Sequence, residues 1–270
     1  MNFATLEITR DNHGVAMLWM NRPDVHNAFN AQLIADLSAA CQALDADETV
    51  RLMVLAGRGK SFSAGADLNW MQAAGNASFA DNLADADKLA AMLRTLAGMK
   101  KPTIARVHGA ALGGGMGLAA ACDICLVSGR AVFATSEVRF GLIPSAIGPY
   151  VLRAIGERQC SRYFLTAERI DAARAVALGL AHDMAADEAA LDAQVAELTR
   201  ALLSGGPEAQ AAAKDLLRAI ANRPIDDQLT ADTARRIAQL RATPEAREGL
   251  AAFLAKRPPG WVAGDGGQPT

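Results

Sequence analysis

Three consecutive glycines, Gly113, Gly114 and Gly115, constrain this chain more than any other feature. They follow a short apolar run that ends at His108, and they precede a small, apolar stretch from Met116 to Cys122. The pattern predicts a strand, a glycine turn and the start of a tightly packed helix. Glycine lets a ligand approach the backbone without a Cβ atom in the way. The first turn of a helix carries N–H groups with no intrahelical partner, under a favourable dipole. Such donors suit an anion or a developing oxyanion. Close helix packing would account for the same glycines, and on this stretch alone both readings stand.

With 270 residues, 51% of them hydrophobic, the chain can bury a large core. Its formal net charge is -2, and no run of Lys or Arg is long enough to attract nucleic acid or anionic lipid. Small-molecule partners are expected, with no nucleic acid and no membrane. There is no basic segment followed by an apolar run at the N-terminus, and no apolar stretch of membrane-spanning length, so a cytoplasmic protein is expected. Cys41, Cys122, Cys125 and Cys160 are too few for a disulfide framework. Cys122 and Cys125 form a C-x-x-C, but no second pair or nearby His completes a zinc site, and they read as packing residues; no metal is expected.

Along the chain, Phe3 to Thr9 and Val15 to Met20 read as a hairpin around Asp11-Asn12-His13-Gly14. Asn30 caps a helix carrying Leu33, Leu37, Cys41 and Leu44 at helical spacing. Arg51 to Ala56 is a strand, Lys60 to Asp67 a small-residue loop, and Ala80 to Ala97 a second amphipathic helix. Pro102 starts the next strand. This alternation predicts an α/β core. Pro144 and Pro149 bracket an irregular segment, and helices follow over Arg158 to Thr166 and Ala172 to Leu178. From Asp187 the chain is nearly all helix former, broken at Gly205-Gly206-Pro207 and Arg223-Pro224. Residues 258–270 have too little to bury and read as a disordered tail.

Several motifs fail on inspection. Gly57 to Ser61 ends in Gly-Lys-Ser, but the first P-loop glycine falls on Val54. A dinucleotide fingerprint around Gly113 fails at Leu118 and follows a complete strand-helix unit. His108 has no nucleophile beside it and reads as structural. Asp67 precedes a helical run and reads most simply as its cap. What remains is a second small-residue loop, Ser61-Phe62-Ser63-Ala64-Gly65-Ala66-Asp67, after a strand, as the glycines are. Two such loops on neighbouring strands can aim two backbone donors at one carbonyl oxygen.

At these residues the sequence resembles the crotonase, or enoyl-CoA hydratase/isomerase, superfamily. The resemblance is carried by Leu18 to Pro23 with Asn27-Ala28, Phe62 to Leu68, His108 to Gly115, Ala121 to Ile124, Ser136-Glu137 with Gly141 to Pro144, and Phe253 to Arg257. It implies an α/β fold with a crotonase-type ββα spiral core over residues 1–195 and a C-terminal helical trimerisation region over 196–257. It also implies a homotrimer or dimer of trimers and an acyl-CoA substrate, with coenzyme A as part of that substrate and no separate cofactor. By motif position, the backbone amides of Ala66 and Gly114 would form an oxyanion hole. Arg22, Lys60, Ala64, Asp67, Leu68, Phe253 and Lys256 match positions around coenzyme A; for the charged and aromatic ones a solvated charge or a packing ring is the other reading.

Hydratases of this family typically carry two glutamates. The second is present as Glu137, whereas the first position is Gly117. Glu137 would then serve alone as general acid and base. The stretches Asp67 to Met71, Ser136 to Tyr150 and Tyr163 to Arg169 look like bacterial hydratases acting on 3-methylglutaconyl-CoA or isohexenylglutaconyl-CoA. Trp70, Gly117 and Tyr150 would line the acyl pocket, with Arg139 or Arg153 holding the substrate's own carboxylate. A Δ3,Δ2-enoyl-CoA isomerase using Glu137 as proton shuttle is the alternative. A non-catalytic acyl-CoA-binding relative is a third reading.

Overall fold

The computed structural model describes residues 2–262. They form two compact units, the first running to Met99 and from Thr103 to Glu197, the second comprising Lys100–Pro102 and the chain from Leu198 onward.

The first unit is built on a six-stranded sheet. β1 (Leu6–Arg10) pairs antiparallel with β2 (Val15–Met20), with Leu6 opposite Met20 and Arg10 opposite Ala16. The Asp11 side chain closes the turn by accepting from the amides of His13 and Val15. Helix α1 (Ala31–Ala46) follows, its Asn30 cap accepting from the Leu33 amide at 2.9 Å. Leu33, Leu37, Cys41 and Leu44 are all buried, as their spacing predicts. Each such leucine contributes about 1.5 to 3 kcal/mol of burial.

β3 (Leu52–Gly57) is buried at all six positions because parallel neighbours flank it on both sides and both its faces are covered. Helices α2 (Leu68–Asn76) and α3 (Phe79–Gly98) lead to β4 (Thr103–Val107). The expected strand to His108 is followed by a further short one, β5 (Ala110–Leu112), before helix α4 (Gly114–Ala121). β6 (Ile124–Ser128) continues the large sheet, and β7 (Val132–Ala134) pairs parallel with β5 in a second, three-stranded sheet.

Helix α5 (Gly148–Thr166) starts earlier than expected. Pro149 stands in its first turn, where a proline needs no donor and its fixed φ favours the helix, so the residue read as a breaker is a starter. A kink at Gly156 separates this first part from the expected Arg158 to Thr166 helix. β8 (Ile170–Asp171) joins the second sheet, α6 (Ala172–Leu178) has Asp171 as cap and Gly179 as stop, and β9 (Asp183–Ala185) completes the order β1-β2-β3-β4-β6-β9.

α7 (Glu188–Ser204), α8 (Pro207–Ile220), α9 (Asp227–Arg241) and α10 (Pro244–Leu254) follow; the first two separations fall at the sequence breaks, while that between α9 and α10, where Thr243 caps the next helix ahead of Pro244, was not expected. In the second unit the expected tail departs from disorder as far as Val262: the Trp261 indole donates to the Ser204 carbonyl at 3.1 Å, and the Gly260 amide donates to Glu248 at 2.9 Å. The indole has apolar surface to cover and a carbonyl to satisfy its N–H, which composition alone underrates. Residues 263–270 of that tail lie outside the described residues. No helix among the described residues is long and apolar enough to cross a membrane.

Candidate functional site

The loop after β3 is threaded between two other segments. On one side Phe62 donates to His108 O, Ser63 donates to Ala110 O, and Leu112 donates to Ser63 O, each at 2.9 Å. On the other, Ala64 donates to His26 O, Phe29 to Gly65 O and Asp67 to Phe29 O. These bonds leave the Ala66 amide unused, and Ala66 is exposed. Gly114 opens α4, so its amide has no intrahelical acceptor either.

The glycines explain how the two loops approach each other. Gly113 has φ +48° and ψ -116°, a turn that side-chain-bearing residues avoid. At Gly115 a Cβ would stand 2.6 Å from the Ser63 carbonyl, so only glycine lets the two loops touch. The Cα of Gly65 is 3.8 Å from where a Cβ on Gly113 would lie. Ala66 and Gly114 are the next residues along each loop. Close packing, one of the two readings of these glycines, is what the loops show, and the same packing leaves the Ala66 and Gly114 amides without backbone acceptors.

Glu137 begins a short 3-10 turn, Glu137–Phe140, that Gly141 closes. Its Oε1 lies 3.2 Å from the Cβ position of Gly113, beside the first turn of α4. Oε2 is buried with no hydrogen-bond partner among the described residues. Desolvation pushes the Glu137 pKa up, against a smaller opposing effect of its own backbone amide. A carboxyl so placed holds its proton more tightly than a surface glutamate.

Asn27 holds this assembly together. Fully buried at φ +54°, its side chain accepts from Arg22 N at 2.8 Å and donates to Arg58 O and Ser61 O at 2.9 Å, while its carbonyl accepts from Ser63 Oγ at 2.8 Å. In the sequence Asn27 figures only as part of the matched Asn27-Ala28, with no role attached, because its partners are backbone carbonyls and amides, chiefly of distant segments. Arg22 turns inward, donating to Ala28 O and to Asp67 Oδ2, the latter at 3.0 Å. The Arg22 guanidinium holds the Asp67 pKa below its usual value. Asp67 also caps α2, accepting from the Asn69 amide. His108 is buried and structural, its Nε2 paired with Gly59 O at 2.9 Å.

Of the other predicted residues, Ala64 and Trp70 are half-buried, and Lys60 and Leu68 are exposed. Gly117 lies on α4 beneath Ile147, a neighbour nothing in the sequence announces. Tyr150 is half-buried; burial pushes its hydroxyl pKa up, against the positive charges of Arg153 and Arg94. Arg139 donates to Ala167 O at 3.0 Å. Phe253, on α10, and Lys256, just after it, belong to the second unit and are exposed. Cys125 is fully buried, which pushes its thiol up to about 12, as packing rather than redox chemistry requires. Among the described residues no group of three or more His, Cys, Asp or Glu could hold a metal ion.

Residues 10–264 match the model of a family described as enoyl-CoA hydratase/isomerase. The fold superimposes with a TM-score of 0.93 on an enoyl-CoA hydratase from Shewanella pealeana ATCC 700345, at 42% identity over 96% of this chain and 97% of that one. A protein of Rhizobium meliloti (strain 1021) named "Probable enoyl-CoA hydratase" is 36% identical, over 95% of this chain and 97% of its own length. The 2,3-dehydroadipyl-CoA hydratase of Escherichia coli (strain K12) is 32% identical, over 91% and 94%.

Proposed function

Because this chain belongs to the enoyl-CoA hydratase/isomerase family, we propose that it is an enoyl-CoA hydratase that adds water reversibly to an α,β-unsaturated acyl-CoA. The observation that supports this reading is the close approach of Gly65 and Gly113, each followed by a residue with an unengaged amide, Ala66 and Gly114, beside the half-buried carboxyl of Glu137. In the reaction, Glu137 takes a proton from water as the water oxygen bonds to the β-carbon. The alkene electrons move to the thioester oxygen, where the two amides hold the enolate; preorganised donors of this kind are worth about 3 to 4 kcal/mol each. Glu137 then returns its proton to the α-carbon. One water is consumed and the enzyme is restored.

Within that reaction the acyl group is of the methylglutaconyl type, bearing a second carboxylate. Arg153 suits this group better than Arg139, since Arg139 already donates to a backbone carbonyl. The name of the Escherichia coli relative, a hydratase of a dicarboxylic thioester, supports the same substrate class. Arg22, paired with Asp67, holds the loop that faces coenzyme A, while Lys60, Ala64 and Leu68 line that approach. The helices of the second unit, with Leu250, Phe253 and Leu254 exposed on α10, would assemble a trimer or dimer of trimers and bring Phe253 and Lys256 to a neighbour's coenzyme A. A cytoplasmic location fits the substrate.

The lone carboxylate favours one second reading, a Δ3,Δ2-enoyl-CoA isomerase in which Glu137 moves a proton from the α- to the γ-carbon. Incubation with 3-methylglutaconyl-CoA and with a 3-enoyl-CoA in deuterated water separates the two. A hydratase gains a hydroxyl group on the first. An isomerase only shifts the alkene of the second, with deuterium incorporated. Absence of both reactions, with saturable acyl-CoA binding retained, would leave the non-catalytic relative.

A further inference from the structure

Gly113, which precedes α4, and Gly117, on it, lie one turn apart, with Gly117 N donating to Gly113 O at 3.1 Å. The carboxyl of Glu137 lies over the first of them. Ile147 lies over the second: a Cβ on Gly117 would collide with Ile147 Cγ2 and come within 2.7 Å of its Cβ. Ile147 is 3% exposed and caps the start of α5, its carbonyl accepting from Tyr150 N and Val151 N. Retreat of Ile147 would therefore drag the beginning of that helix with it. The volume a side chain on Gly117 needs is already filled by hydrocarbon.

We infer that Ile147 is a specificity-determining residue of this site: seated on Gly117, it excludes a second proton-carrying group from the face of α4 that Glu137 occupies. The inference rests on the reading of Glu137 as the acid–base group. Its consequence is that every proton moved in the cleft passes through one carboxyl, and that no polar group on Gly117 orders water opposite it. Glycine at 117 is then a packing requirement set by residue 147, and a glutamate there needs a smaller partner.

A cycle of Gly117→Ala, Ile147→Ala and the double variant tests the packing. Gly117→Ala should lower the Tm in the native background and lower it far less beside Ile147→Ala. Equal losses in both backgrounds would overturn the inference. That readout needs no turnover, so it stands apart from failure of the hydratase reading, which would appear as wild-type protein that transforms no enoyl-CoA. Gly117→Glu/Ile147→Ala tests the chemistry. Its hydration rate should exceed that of Ile147→Ala by about a hundredfold or more, the lower reach of a general acid–base group. Its pH–rate profile should also gain a second ionisation. A folded Gly117→Glu/Ile147→Ala protein with the rate and profile of Ile147→Ala would overturn the inference, and if that protein does not fold the alanine cycle decides.

Discussion

The Glu137 carboxyl rests on Gly113, with Oε1 3.2 Å from the position a Cβ would take there. The residue that turns the chain at positive φ just before Gly114 thus also seats the Glu137 carboxyl. A carboxyl and a helix-opening amide are held in register by a single glycine, and the proposed chemistry follows from that register.

Replacing Glu137 separates activity from stability. Glu137→Gln should cut turnover by roughly 10² to 10⁴, the range for a general acid–base group. The Tm at pH 7 should stay level or rise. Burial raises the folded-state pKa above the unfolded value near 4.5, so ionised Glu137 destabilises the fold as pH climbs through that window. Glutamine removes that cost. Thermal unfolding of both proteins at pH 4 and pH 7 checks the sign: the variant's advantage should appear at the higher pH and vanish at the lower.

The pH–rate profile should carry the same signature. A base must be ionised, so kcat/KM should rise with pH through an ionisation above 4.5, shifted in the direction that burial dictates. Glu137→Asp should retain an ionisation and Glu137→Gln should lose it. A limb unchanged in the glutamine variant would assign the ionisation elsewhere.

Asn27→Ala should act from a distance. It removes the amide that joins Arg22 N, Arg58 O and Ser61 O, leaving buried groups unpaired at a cost of about 2 to 3 kcal/mol. The loop that presents Ala66 loosens with them, so kcat should fall even for protein that remains folded. Denaturant titration beside steady-state kinetics measures both.

Much of this arrangement was legible in the sequence, for stated reasons. The Asn30 and Asp171 caps and the leucines of α1 follow local rules that tertiary packing does not override. The two small-residue loops were legible because a close backbone approach leaves a trace in the residue types around it, and the family resemblance, by motif position, singled out Ala66 and Gly114 on them. Pairings between distant segments leave none. Asn27 satisfies carbonyls of residues 31 and 34 positions away, and Ile147 meets Gly117 across two helices. Pro149 misled because a proline starts a helix as readily as it ends one. The guanidinium of Arg22 bonds to Ala28 O and Asp67, a pairing that its charge alone does not reveal.

The most direct test follows the α-protons of a saturated acyl-CoA in deuterated water by NMR, with wild-type and Glu137→Gln protein. Exchange requires only a thioester enolate and one base, with no water addition and no alkene. The account predicts exchange by the wild type and its loss in the glutamine variant, with acyl-CoA binding retained in both. Equal exchange by the two proteins, or none by a wild type that binds the thioester, would contradict it.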